Sequence, residues 1–347
     1  MLQPNFKIFD KKSILITGGT GSFGSNFIKI LLKRSKPAKI ICFSRDELKQ
    51  FNLENSLKKL DNKSCVRFFI GDVRDKDRLN LALINNKVDF LIHAAALKQV
   101  PAVEYNPFEA VKTNILGAQN VIEVAIKNNV KKIIALSTDK ASSPLNFYGA
   151  TKLVSDKIFI NANAYSNRKS IFSVVRYGNV SNSRGSVIPI FNAINKKNEK
   201  FLVTHKEMTR FNISLEEAAN FTANSIKEMI GGEIFVPKIP SYKIVDLVKA
   251  YKENPTVKII GLRPGEKLHE EMISIHDSIY TLEAKDHFVI LPNVDFFYYT
   301  MKSYVKIKNK IKYKNLKKNF SYNSKDNDNY LSINQLKKVI SDTIKNN

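Results

Sequence analysis

The sequence predicts an α/β fold, a doubly wound parallel sheet with a smaller C-terminal lobe. Three observations predict it. Short Ile/Phe/Val-rich runs alternate with amphipathic helical stretches through the first half of the chain. Those runs are apolar throughout, as strands buried on both faces are. After Asn179 the alternation becomes irregular, as passage into a second lobe would make it.

The runs at 13–17 (SILIT), 39–43 (KIICF), 66–70 (VRFFI), 90–93 (FLIH) and 132–136 (KIIAL) read as buried strands, because they are too short for helices. A sixth follows at 172–176 (FSVVR). Helical patterns lie between them, as at 23–33 and 107–128. Residues 233–236 (EIFV) are expected to return to the sheet, with a helix from 241 to about 251. Residues 9–178 therefore form the main unit, joined by 211–251. Residues 179–210 and 252–300 are assigned to the lobe. Residues 301–347 are expected to be a basic, partly flexible tail, since 304–328 is rich in Lys, Asn and Ser. Its end, LSINQLKKVISDTI, regains helical periodicity behind a candidate cap, Ser332.

The 347 residues carry a net charge of +24. The lysines are scattered, and only 302–318 is densely basic, with no binding motif beside it. No nucleic-acid partner is expected. The excess still favours anionic ligands by long-range attraction. No apolar run is long enough to cross a bilayer, so no membrane insertion is expected. The N-terminal segment lacks an apolar signal core, which points to the cytoplasm. Cys42 and Cys65 sit in apolar runs and read as reduced core residues. His93 and His269 are isolated, so no metal site is expected.

The first strand leads into GGTGSFG. Gly18, Gly21 and Gly24 let the backbone turn sharply, and the next helix offers free N–H groups to a pyrophosphate. Between a first strand and a first helix, this is the dinucleotide turn of a Rossmann fold. Thr20, Ser22 and Phe23 complete the candidate cradle. A carboxylate commonly ends the second strand when NAD is preferred. Here Ser44 and Arg45 stand there instead and can bond a ribose phosphate, which points to NADP. Asp46 and Glu47 follow at once, and Arg45 as a solvated surface residue is the alternative. Asp72, beside Val73, is placed to reach an adenine or to cap a helix. Ala94, after the fourth strand, joins the candidate cofactor surface.

Tyr148 and Lys152 lie four residues apart in YGATK and share one helix face. An ammonium beside a phenol favours the phenolate, so this tyrosine is expected to have a lowered pKa and to remove a hydroxyl proton. Thr138 ends the fifth strand and can bond the same substrate oxygen. Asp139 and Lys140 follow it. A lysine near another cation is expected to have a depressed pKa and act as a base. An adjacent carboxylic acid can donate to a leaving hydroxyl. Acid and base beside a redox cofactor suit elimination of water from an oxidised sugar, although an ordinary surface turn also carries Asp–Lys.

At this point the chain resembles a known family, the inverting UDP-N-acetylglucosamine 4,6-dehydratases of bacterial surface-sugar biosynthesis. The resemblance rests on ITGGTGSFG, FSRDELKQ, FFIGDVRD, HAAALKQVPAVEYNPFEAVKTNILGA, ALSTDKASSPLNFYGATKLVSDK, SVVRYGNVSNSRGSVIP, GGEIFVPKIPS and GLRPGEKLHEEMI, which span roughly 13–290. It implies NADP as cofactor and UDP-N-acetylglucosamine as substrate. It implies that Tyr148 and Lys152 assist oxidation at carbon 4. Lys140 then takes the carbon 5 proton, and Asp139 with Thr138 helps expel the carbon 6 hydroxyl. Lys140 is the residue that points to inversion, because retaining relatives usually carry glutamate there. The resemblance also implies Lys98 as a cofactor and substrate contact. Asn179, Arg184, Gly185, Ser186, Val187, Ile188, Arg263 and Glu266 are implied as substrate contacts, and a homo-oligomer is implied as the assembly.

Asn212, Ser143 and Asn182 depart from the family pattern, and all three lie outside the stretch from Thr138 to Lys152 except Ser143, which touches no catalytic position. The neighbouring alternative is a UDP-hexosamine epimerase, against which Tyr148 argues. A non-catalytic NADP-binding regulatory subunit is the alternative of another class, against which the intact Asp139, Lys140, Tyr148 and Lys152 argue.

Overall fold

Each apolar run of the first half becomes a parallel strand in the computed structural model, which describes residues 6–61, 64–181, 183, 185–293 and 299–345. These are β1 (Ser13–Thr17), β2 (Lys39–Ser44), β3 (Val66–Ile70), β4 (Phe90–His93), β5 (Lys132–Thr138) and β6 (Ile171–Tyr177). The helices between them are α1 (Ser22–Arg34), α2 (Glu47–Leu57), α3 (Lys76–Ile84), α4 (Val100–Tyr105), α5 (Pro107–Ala110), a π-helical turn (Val111–Leu116), α6 (Gly117–Lys127) and α7 (Phe147–Tyr165). The second half adds α8 (Val187–Lys196), β7 (Phe201–Val203), β8 (Thr209–Phe211), α9 (Leu215–Glu228), β9 (Ile234–Pro237), β10 (Ser241–Lys243) and α10 (Ile244–Tyr251). It continues through β11 (Val257–Ile259), β12 (Glu271–Ile273), α11 (Ile275–Ser278), β13 (Thr281–Glu283), β14 (His287–Ile290), α12 (Met301–Ile307), β15 (Lys314–Asn315), β16 (Tyr322–Asn323) and α13 (Ile333–Lys345).

The main sheet has ten strands in the order β15-β13-β14-β9-β6-β5-β4-β1-β2-β3. Its seven strands from β3 to β9 are parallel, with Ile14 level with Ile40 on one side and Phe90 on the other. Ile14, Leu15 and Ile16 are fully buried. Burial of such a side chain contributes about 1.5–3 kcal/mol, which explains why the runs are apolar on both faces. The order reverses around β1 and β4, and that switch point opens the crevice where ligands bind in such sheets.

Two boundaries move from their expected places. Residues 281–290 do not belong to the lobe, because β14 pairs antiparallel with β9 and β13 with β14, extending the main sheet. Residues 241–251 are not one helix: 241–243 pair with β8, and the helix begins at Ile244. That helix packs its Ile244, Leu247 and Val248 with Ile188 and Phe191 of α8 and Leu336 and Ile340 of α13. It therefore builds the second core and does not return to the first.

The C-terminal segment also differs from a loose basic tail. Tyr304 and Tyr322 enter the main core, and Tyr313 and Phe320 pack against it. The aromatic residues interleaved with the lysines supply buried area that a polar tail lacks. Ser332 does cap α13, exchanging bonds with Gln335. Among the described residues, no helix is long and apolar enough to cross a membrane.

Candidate active site

Two adjoining cavities follow the carboxyl ends of the parallel strands. The larger is about 630 Å³ and the smaller about 490 Å³, and both touch Gly18, Gly21, Ala94 and Ala96. Gly18 has φ +66°, and a Cβ there would lie 2.9 Å from the Ala95 nitrogen. Only glycine combines that conformation with so close an approach of β1's turn to the loop after β4.

The smaller cavity gathers Thr20, Ser44, Arg45, Asp46, Asp72 and Val73. Thr20 and Ser44 share a hydrogen bond of 2.6 Å, which ties the glycine turn to the end of β2. The Arg45 guanidinium is half exposed, 3.5 Å from Asp72 Oδ2. Burial raises the Asp72 carboxyl, but Arg74 outweighs it and holds the group below its usual range. Asp46 caps α2 by accepting from the Lys49 N–H. Glu47 lines neither cavity and is exposed on the first turn of α2.

The larger cavity holds Ser22, Phe23 and Gly24 at one end and Lys98, Asn179, Gly185, Ser186, Val187, Arg263 and Glu266 at the other. Ile188 is not among them, because it turns into the second core at 2% exposure. Arg184 and Asn182 lie outside the described residues. Asn212 is accommodated by Ser181, whose hydroxyl donates to its side-chain oxygen at 2.6 Å. Ser143 sits at φ +42°, a left-handed conformation that asparagine tolerates well, and its hydroxyl bonds Glu271.

Thr138, Lys140, Tyr148 and Lys152 meet in the larger cavity. Asn146 caps α7 and also donates to the Gly265 carbonyl. Gly149 lets that helix press against the backbone of Lys140, since any Cβ there would collide with the Lys140 carbonyl oxygen. Tyr148 is thereby brought beside Thr138, whose hydroxyl acts to lower the phenol's pKa. Thr138 Oγ1 donates to Asp139 Oδ1 at 2.9 Å, and Lys140 Nζ lies 3.1 Å from the same oxygen. Asp139 is fully buried, whereas the Lys140 side chain is 23% exposed.

Two electrostatic expectations are overturned. Burial pushes the Tyr148 phenol up to about 12, and the main charge opposing it is Lys140. Lys152 faces Asp156, whose charge opposes the downward pull of burial on the lysine. Lys140 itself is not a depressed amine. Burial works against its charge, but Asp139 and Glu270 outweigh burial and hold the ammonium above its ordinary range. The Asp139 carboxyl is raised as well, first by burial and further by Glu270, with Lys140 opposing.

Glu270 and Arg210 line the larger cavity and escaped the sequence reading. Glu270 lies in the quoted KLHEEM segment, and its adjacent carboxylate pair was the available signal. Arg210 carries no motif of its own. Asp156 was also missed, although Tyr148, Lys152 and Asp156 follow each other at four-residue steps on one helix face. His93 is a packed residue as expected, stacked on Phe159 and bonded to Thr17. His269 bonds Thr209.

A parallel sheet with a glycine turn at its switch point defines a Rossmann-type α/β enzyme. The polysaccharide biosynthesis protein family profile matches residues 14–292, and the chain belongs to that family. A UDP-N-acetylglucosamine 4,6-dehydratase (inverting) of Campylobacter jejuni is 51% identical over 97% of this chain and 99% of its own length. A UDP-glucose 4-epimerase of Rickettsia prowazekii is 42% identical over 78% of this chain and 80% of its own. Among solved structures, Pen from Bacillus thuringiensis superposes with a TM-score of 0.84 at 37% identity, covering 97% of this chain and 99% of that one.

Proposed function

We propose that this chain is an NADP-dependent, configuration-inverting UDP-N-acetylglucosamine 4,6-dehydratase, acting early in bacterial surface-glycan biosynthesis. The observation that carries this reading is the meeting of Thr138, Lys140 and Tyr148 at one cavity wall, with buried Asp139 bonded to Thr138 and Lys140 behind it. The likeness to the Campylobacter dehydratase over nearly the whole chain supports it.

The residues fit a dinucleotide. A Cβ on Gly24 would lie 2.6 Å from the Gly18 carbonyl oxygen, so the cradle is built for close backbone approach. Ser44 and Arg45 at the smaller cavity suit a ribose phosphate. A bound nicotinamide would take a hydride from the sugar and give it back within one turnover.

Thr138 and Tyr148 orient the carbon 4 hydroxyl; Tyr148 rests as a phenol, and the positive charge of a bound oxidised nicotinamide would favour release of its proton to solvent, leaving the phenolate that accepts the hydroxyl proton. Lys140 starts as an ammonium and must first become an amine. Asp139, 3.1 Å away with a raised carboxyl pKa, is placed to take that proton. The transfer leaves a neutral base beside a neutral acid. Lys140 then removes the carbon 5 proton, while Asp139 passes its proton through the Thr138 hydroxyl, which bonds it and lines the cavity, to the carbon 6 hydroxyl, which leaves as water.

The test is incubation of purified protein with UDP-N-acetylglucosamine and NADP in heavy water, followed by proton NMR. A 4-keto-6-deoxy sugar of L-arabino geometry with deuterium at carbon 5 is expected. Unchanged substrate, or an epimer that keeps its carbon 6 hydroxyl, would refute the assignment.

A further inference from the structure

We infer that Glu270 is a positioning residue for Lys140: its fixed carboxylate holds the ammonium at the cavity wall and sets the pH at which that lysine can become an amine. The inference rests on the proposed role of Lys140 as base.

Glu270 Oε1 lies 3.1 Å from Lys140 Nζ, as close as Asp139 Oδ1 does. Glu270 is only 2% exposed, so no water shell weakens this contact. Its position is over-determined. The Glu270 N–H donates to Ser324 Oγ, its carbonyl accepts from the Ser324 N–H, and Ser324 Oγ is itself bonded to Thr209. Arg210 Nε stands 3.6 Å from Glu270 Oε1. Burial raises the Glu270 carboxyl, but Lys140 and this second cation outweigh it and hold the group below its usual range, whereas Asp139 is raised. Two carboxylates that differ in this way divide the labour: one exchanges the proton and the other anchors it.

The groups facing Lys140 come from several elements. Asp139 lies on the turn after β5, Tyr148 on α7, Arg210 on β8, Tyr242 on β10, and Lys267 and Glu270 on the segment before β12. Glu270 is the anion among them that does not neighbour Lys140 in sequence. Glu271 on the same segment bonds Ser142 and Ser143, so the segment also clamps the loop leading to Tyr148.

The test measures the pH dependence of Lys140 acetylation by acetic anhydride, followed by peptide mass mapping, in the NADP-loaded protein without sugar. Acylation reads the amine fraction directly and does not depend on dehydratase activity. In Glu270→Gln the labelling curve is expected to move to lower pH by about one to two units, because an anion is lost. In Arg210→Met it is expected to move to higher pH, because a repelling cation is lost. A Glu270→Gln curve that coincides with that of the unaltered protein overturns the inference. If that variant does not fold, an unmoved or acid-shifted curve in Arg210→Met overturns it instead. A protein that shows both labelling shifts yet never dehydrates the sugar refutes the proposed function alone.

Discussion

Arg176 Nη2 lies 3.3 Å from Asp156 Oδ2, and both side chains are buried between β6 and α7. Asp156 also accepts from Ser137 and faces Lys152, so the pair stands directly behind the site. Arg176 reaches further, to the Met272 carbonyl of β12. Removing one partner of a buried pair strands the other charge. Arg176→Met should therefore cost about 3–5 kcal/mol of stability in denaturant unfolding. Adding Asp156→Asn should recover most of that loss. A double variant as unstable as the single one would show that the pair itself is not what matters.

Lys140→Ala should lower kcat for dehydration by about 10²–10⁴-fold, the range expected when a positioned base is lost. NADPH binding, followed by fluorescence, should stay nearly unchanged, because Lys140 lines the larger cavity and not the one beside Ser44 and Arg45. Loss of cofactor binding would make the lysine structural.

Arg45→Ala should weaken NADPH binding by about tenfold to a hundredfold, the worth of one charge-assisted bond. NADH binding should change little. Side-by-side titration of the two dinucleotides checks this, and equal losses for both would remove Arg45 from the phosphate site.

His93 supplies a pH dependence. Burial, helped by the nearby Lys152, lowers its pKa from 6.5 to about 3. The unfolded chain binds a proton below about pH 6.5, whereas the native chain resists it until about 3. This contribution to stability is complete above 6.5 and is lost as pH falls through that window, by up to about 1.4 kcal/mol per pH unit. His93→Asn, which keeps an acceptor for Thr17, should flatten the acid side of the stability curve. Unfolding free energies measured at pH 7, 6 and 5 decide it.

Most of the main sheet is legible in the sequence because β1 to β6 are short, apolar and separated by helical periods. The strands β13 and β14 were not, since antiparallel strands of three and four residues carry too little periodicity to stand out. Tyr148, Lys152, Asp139 and Lys140 were legible because local spacing alone puts each pair together. Glu270 and Arg210 reach Lys140 from distant segments, and no spacing rule connects them.

The sequence by itself determined which backbone can turn around a pyrophosphate, through Gly18 and Gly24, and which acid and base share one turn, through Asp139 and Lys140. The tertiary structure alone decided their charge. Burial of Asp139, the approach of Glu270 and the counter-charge of Arg210 are through-space effects in a medium of low dielectric constant. They hold the Lys140 ammonium above its ordinary range, against the expected depression, and raise the Asp139 carboxyl, as a proton-carrying acid requires.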